Sequence, residues 1–150
     1  MNRREFSTML PLLAAAPALA QAPAQTAQRA PAPLNKLTSG VYPPAAATGS
    51  ATTGRSGHHF ILGILPDNIR LEAHTTTLAA GAPMEPVAHH KHSEMWFVRE
   101  GEVSLMTNGT TRTMKAGDMG LCCAGDDHSV GNASKTDSCT YFVVTVGPPE

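Results

Sequence analysis

Between His58 and Val146 the chain is a succession of short apolar or alternating runs, each closed by a cluster of turn-forming residues. Residues 60–65 stop at Pro66-Asp67-Asn68, and residues 69–74 alternate with the two-residue period of a strand before the run 75–78. The stretch 79–83 breaks the chain, and residues 95–98 end at Arg99-Glu100-Gly101-Glu102. Residues 103–106 and 111–114 flank Asn108-Gly109, which predicts a tight hairpin because both residues tolerate the positive φ of a primed turn. A further turn at 115–118 precedes the run 119–124, and 129–130 and 139–146 complete the set. Outside the first twenty residues no segment has the period of an amphipathic helix. Many short strands with turn chemistry between them predict an all-β, antiparallel sandwich or barrel.

Size and charge narrow the partners. A chain of 150 residues with a hydrophobic fraction of 41% supports one domain with its own core. The formal charge of -1, with no Lys/Arg run after the leader, argues against nucleic acid or an anionic membrane surface as partner. A small-molecule ligand is the expectation.

Residues 1–20 read as an export signal: Arg3-Arg4 and Phe6 precede an apolar run that closes on Ala18-Leu19-Ala20, a small-x-small cleavage site. The run is too short to span a bilayer and is interrupted by Pro11 and Pro17, so the mature form is expected to carry no membrane span. The arginine pair is similar to the twin-arginine signal, which implies export of a folded protein to the periplasm or beyond. Residues 21–56, rich in Ala, Pro, Gln and Thr, read as a flexible linker before a domain at 57–150. Within the linker, Leu34, Leu37, Val41 and Tyr42 are suited to an extended arm against the domain or a second subunit. Cys122, Cys123 and Cys139 allow at most one intramolecular disulfide and are expected to be small buried hydrophobes.

The chemistry is concentrated in His89-His90-Lys91-His92-Ser93-Glu94. Imidazole nitrogens with a carboxylate oxygen are the ligand set of a borderline divalent metal such as Fe, Mn, Zn, Ni or Cu. If this stretch is one extended strand, His90, His92 and Glu94 share a face while His89 and Lys91 point outward. A strand places donors in a row, so closure of a metal shell needs a residue from elsewhere. His128, after the turn-forming Gly125-Asp126-Asp127, is the candidate. His58 and His59, at the end of the linker, are expected in solvent, and His74 is expected to be a strand residue, the alternative being that it lines the pocket as an extra polar group.

Gly117, Gly125, His128 and Asn132 resemble the second motif of the cupin family, G-x5-P-x-G-x2-H-x3-N, at every spacing, with Cys123 in place of its proline. The first motif, G-x5-H-x-H-x3-4-E-x6-G, is met by Gly81, Glu94 and Gly101, but the histidines are displaced, and the literal H-x-H is His90-Lys91-His92. Under the longer spacing His89 takes a ligand position instead. The leader, the segment 94–101 and the segment 141–144 look like the small exported bacterial single-domain cupins. This resemblance implies a jelly-roll β-barrel, a divalent metal held by His90, His92, Glu94 and His128, and a homodimer. It implies either an oxygenase or an isomerase/lyase, with Glu94 moving a proton, or a non-catalytic binding module of the periplasm.

Overall fold

A computed structural model describes residues 33–50 and 53–150. The expected export signal and the linker up to residue 32 lie outside the described residues. The pattern of runs and turns becomes ten strands: β1 (Thr48–Ser50), β2 (Arg55–Leu65), β3 (Ile69–Leu78), β4 (Ala88–His89), β5 (Ser93–Glu100), β6 (Glu102–Thr107), β7 (Thr110–Lys115), β8 (Met119–Cys122), β9 (Asp127–Asn132) and β10 (Cys139–Gly147). They form two sheets, a six-stranded one in the order β1-β2-β3-β10-β5-β8 and a four-stranded one in the order β4-β9-β6-β7. Every pairing between these strands is antiparallel. The all-β jelly-roll expectation is met, but the barrel is not closed. Among the described residues the two sheets are joined by chain crossings and not by a continuous ladder.

Turn chemistry sets the registers. Asn108 and Gly109 take φ of 47° and 79° between β6 and β7, and Asp67 and Asn68 take 62° and 56° between β2 and β3. Gly101 turns β5 into β6 at φ 72°, where a Cβ would stand 2.5 Å from the Ser138 carbonyl oxygen. The core lies between the sheets: Leu78, Trp96, Val98, Tyr141 and Val143 of the larger sheet pack with Val103, Leu105, Met114 and Val130 of the smaller. Trp96 is buried while its neighbour Phe97 is 41% exposed, as strand alternation requires.

Along the inner face, composition changes in one direction. On β3 the inward row runs Leu78, Thr76, His74, Glu72, Arg70, and on the paired β10 it runs Cys139, Tyr141, Val143, Thr145. One end of the interior is therefore apolar and the other ionisable. Part of the expected linker packs along β2: Leu37 N–H donates to the Ile64 carbonyl at 2.8 Å, Ile64 N–H to that of Asn35 at 2.8 Å, and Ala45 N–H to that of His59 at 2.7 Å. Gly63 makes room for this arm, since a Cβ there would meet Leu37 Cγ at 2.7 Å.

Asn132 fastens three segments at the apolar end. Its Nδ2 donates to the carbonyls of Ala79 and Asp137, both at 2.8 Å, and its Oδ1 accepts from Ser134 N–H at 2.8 Å. Asn132→Ala should therefore lower unfolding free energy by about 1–3 kcal/mol in urea denaturation. A change within about 0.5 kcal/mol, the range of an ordinary surface substitution, would contradict this role.

Candidate metal centre

At the ionisable end, the chain leaves β4 of the smaller sheet and enters β5 of the larger. Extended structure stops at His89 and resumes at Ser93, so residues 90–92 form a bend. This corrects the expected single strand: a chain that changes sheets cannot remain straight. The bend still brings the side chains together. The His90 and His92 rings stack with centroids 4.5 Å apart and an interplanar angle of 12°. Such an approach is closer than the roughly 6.8 Å between same-face positions of a strand. Gly147 seats His92, because a Cβ at Gly147 would stand 2.7 Å from His92 Cα.

Glu94 is the junction of the group. His92 Nε2 lies 3.3 Å from its Oε1 and His128 Nε2 lies 3.4 Å from its Oε2. His90, His92 and Glu94 each offer one donor atom within 4.8 Å of the others. His128 joins from β9 through the second carboxylate oxygen, with its ring 5.4 Å from that of His90 and 5.3 Å from Trp96. The loop before His128 is tied to the bend, since Gly125 N–H donates to the His90 carbonyl at 2.8 Å. His89 faces elsewhere: its side chain is 65% exposed and its Nδ1 is 3.2 Å from Asp127 Oδ1.

Electrostatics follow from this packing. Burial by itself raises the Glu94 carboxyl, but the hydrogen bond and charge of His128, then His92 and His90, outweigh it and hold the group below the ordinary value. Glu94 in turn raises His128, against the opposing effect of burial. His92 is 4% exposed; its Nε2 faces Glu94, while its buried Nδ1 is turned to Glu150, 3.8 Å from Oε1. Two imidazole nitrogens, one against each oxygen of a single carboxylate, and a third imidazole beside them suit a divalent cation by donor chemistry.

A cavity of about 310 Å³ adjoins the group, lined by Arg55, His74, Glu85, His90, Glu94, Trp96, His128, Tyr141 and Val143. Arg55 Nη1 donates to Tyr141 Oη at 2.8 Å and lies 2.7 Å from Glu85 Oε1. Burial raises the Glu85 carboxyl despite Arg55. The Glu150 side chain stands on the other side of the bend, with Oε2 3.1 Å from His90 Nδ1. Sequence reasoning missed Arg55, Glu85, Gly147 and Glu150. Arg55 was within reach, because the alternation of β2 extends back through Gly57 to it. Glu85 sits in irregular chain near Pro83 and Pro86 and had no periodic signal.

His74 is a strand residue that also takes the pocket-lining alternative, whereas His59 departs in part from its expected place in solvent. His74 lines the cavity from the inner face of β3, and His59 lies beside it with its Nδ1 buried although the side chain is 43% exposed. The cause is the pairing of His59 with His74 across β2 and β3, which puts both on the inner face.

The fold and the site together define a small jelly-roll protein with a His/Glu centre between its sheets. Residues 74–145 match the family model described as Cupin domain, which supports the cupin family for this part of the chain. Among solved structures, KdgF from Halomonas sp. is similar with a TM-score of 0.59 at 15% identity, over 75% of this chain and 96% of that one. An RmlC-like cupin from Shewanella frigidimarina gives 0.53 at 22% identity, over 67% and 83%. The Cnp3 cupin domain of Schizosaccharomyces pombe gives 0.50 at 19%, over 59% of this chain and 63% of that domain, less than two thirds of its length. At these identities the likeness is one of fold. No curated protein matches the chain.

One cysteine touches the centre. Cys122 Sγ lies 3.5 Å from His128 Nδ1, and burial, with Asp126 and Glu94, pushes its thiol up to about 11. Cys139 is buried, whereas Cys123 is exposed because β8 ends at Cys122 and the following residue turns outward; the expectation of three buried cysteines is corrected there. Iodoacetamide at pH 8 should therefore label Cys123 in the reduced native protein and spare Cys122, whose labelling should rise only as pH approaches about 11. Rapid labelling of Cys122 in Cys123→Ser at pH 8 would contradict this.

Proposed function

We propose that the chain is an exported single-domain cupin whose His90, His92, Glu94 and His128 hold a divalent metal (Fe, Mn, Zn, Ni or Cu) and which acts on a small organic molecule as an oxygenase or isomerase/lyase. The observation that carries this reading is the bracketing of both Glu94 oxygens by the buried His92 and His128, beside a cavity that also contains Arg55. When bound, the metal supplies Lewis-acid polarisation of substrate oxygens.

The chain's own groups do the rest. Arg55, held at Nη1 by Tyr141 and Glu85, is the cation in the cavity that would attract an anionic group of the substrate. Trp96 and Val143 form an apolar wall that restricts water around the reacting atoms. Glu94, held ionised by the histidines, accepts a proton at a carboxylate oxygen, while Glu85, raised by burial, retains one more readily. Two carboxyls driven in opposite directions in one cavity provide a base and an acid.

Metal content tests the ligand set. After reconstitution and removal of excess metal, His128→Ala should lower the bound metal by about one equivalent, whereas His89→Ala should leave it unchanged. Equal losses, or none in either variant, would overturn the assignment. Export through the twin-arginine route, which the Arg3-Arg4 pair supports, has its own test. Replacing Arg3 and Arg4 by Lys should trap the precursor in the cytoplasm; continued export would sink that route.

A further inference from the structure

A second group of metal-type donors lies on the same inner face. His59 of β2 is paired across the ladder with His74 of β3, and Glu72 stands two residues from His74 on the same side of β3. The three offer donor atoms within 4.8 Å of one another. His74 Nδ1 is 3.3 Å and His59 Nδ1 is 3.5 Å from the same Glu72 oxygen, Oε1. Neither nitrogen makes a hydrogen bond, although both atoms are buried. The other Glu72 oxygen is taken by Arg70, with Nη2 2.5 Å from Oε2, so the carboxylate is anchored with Oε1 turned to the imidazoles.

This geometry is not that of a hydrogen-bonded pair. Two imidazole nitrogens and a carboxylate oxygen converge with no donor hydrogen directed along either contact. Bonds of about 2.0–2.1 Å at tetrahedral angles separate neighbouring ligand atoms by about 3.3 Å, close to the 3.3 and 3.5 Å seen here. The group opens on a cavity of about 430 Å³, lined also by Thr48, Arg55 and Glu85, which leaves space for a fourth ligand. Its donors are distinct from those of the Glu94 centre, although His74 also lines that centre's cavity: Glu72 and Glu94 flank Thr145 from opposite sides, which puts their backbones roughly 10 Å apart across two strand spacings.

We propose that His59, Glu72 and His74 form a second divalent-metal site, of the two-imidazole, one-carboxylate kind that suits zinc, with its open position facing the larger cavity. The site shares no ligand with the Glu94 centre. Arg70 is a positioning residue, which fixes the Glu72 carboxylate and lowers its negative field without entering the metal shell.

The test uses the mature chain, stripped with a chelator and titrated with Co(II) as an absorbing substitute for Zn(II), with bound metal also measured by elemental analysis. Wild type should take up about two equivalents and His59→Ala about one, while His59→Ala combined with His128→Ala should take up none. His59 is at the cavity rim with its side chain 43% exposed, so its removal should leave the fold intact. His74→Asn gives an independent second variant, and thermal unfolding of each metal-free variant reports folding. One equivalent in wild type that persists in His128→Ala and is lost in His59→Ala supports this site while removing the Glu94 centre. Uptake in His59→Ala and His74→Asn equal to wild type, or no binding by wild type, overturns it.

Discussion

The hydrogen-bonded register of β10 between β3 and β5 is the constraint on which both donor groups depend. Val143 pairs with His74 on one side and Trp96 on the other, and Thr145 pairs with Glu72 and Glu94. Because side chains alternate along all three strands, this one register sends both carboxylates inward at the same level. A slip of one residue in β10 would turn Tyr141, Val143 and Thr145 out of the interior and put Phe142 and Val144 inside. The large, buried Tyr141 at the apolar end thus holds the chemistry at the other end in place, and its link to Arg55 extends the same constraint to β2.

Much of this architecture was legible because strand periodicity and turn chemistry are local. Asn108-Gly109 and Pro66-Asp67-Asn68 announce their turns by the φ values they tolerate, and the Trp96/Phe97 alternation follows from period alone. The proximity of His90, His92 and Glu94 was also legible, but for an incomplete reason. Strand alternation puts the three on one face, whereas in the fold a bend between sheets stacks the two rings. What could not be read is non-local. His59 meets His74 only through the pairing of β2 with β3, and a bulge between His59 and Ile61 shifts that register, so counting residues does not reveal it. Glu85 reaches the cavity from irregular chain, and Arg55 fell inside a stretch whose composition favoured a linker.

Charge balance distinguishes the two groups and bears on why both tolerate partial burial. The approach of His74 to the Glu72 carboxyl, with the permanent cation of Arg70 on its other oxygen, outweighs burial and holds the group down to about 2. Among the described residues Glu94 makes no ion pair with arginine or lysine, and against burial the imidazoles of His128, His92 and His90 hold it below its ordinary value. An imidazole compensates a buried carboxylate fully only when protonated, so Glu94 is less well compensated as His128 loses its proton. A divalent cation answers that deficit without requiring protonated rings, and it also takes up lone pairs that hydrogen bonds leave unused. The Glu94 centre thus has the stronger electrostatic demand for a metal. The Glu72 group, with its charge already answered by Arg70, makes its case on the geometry of its donors.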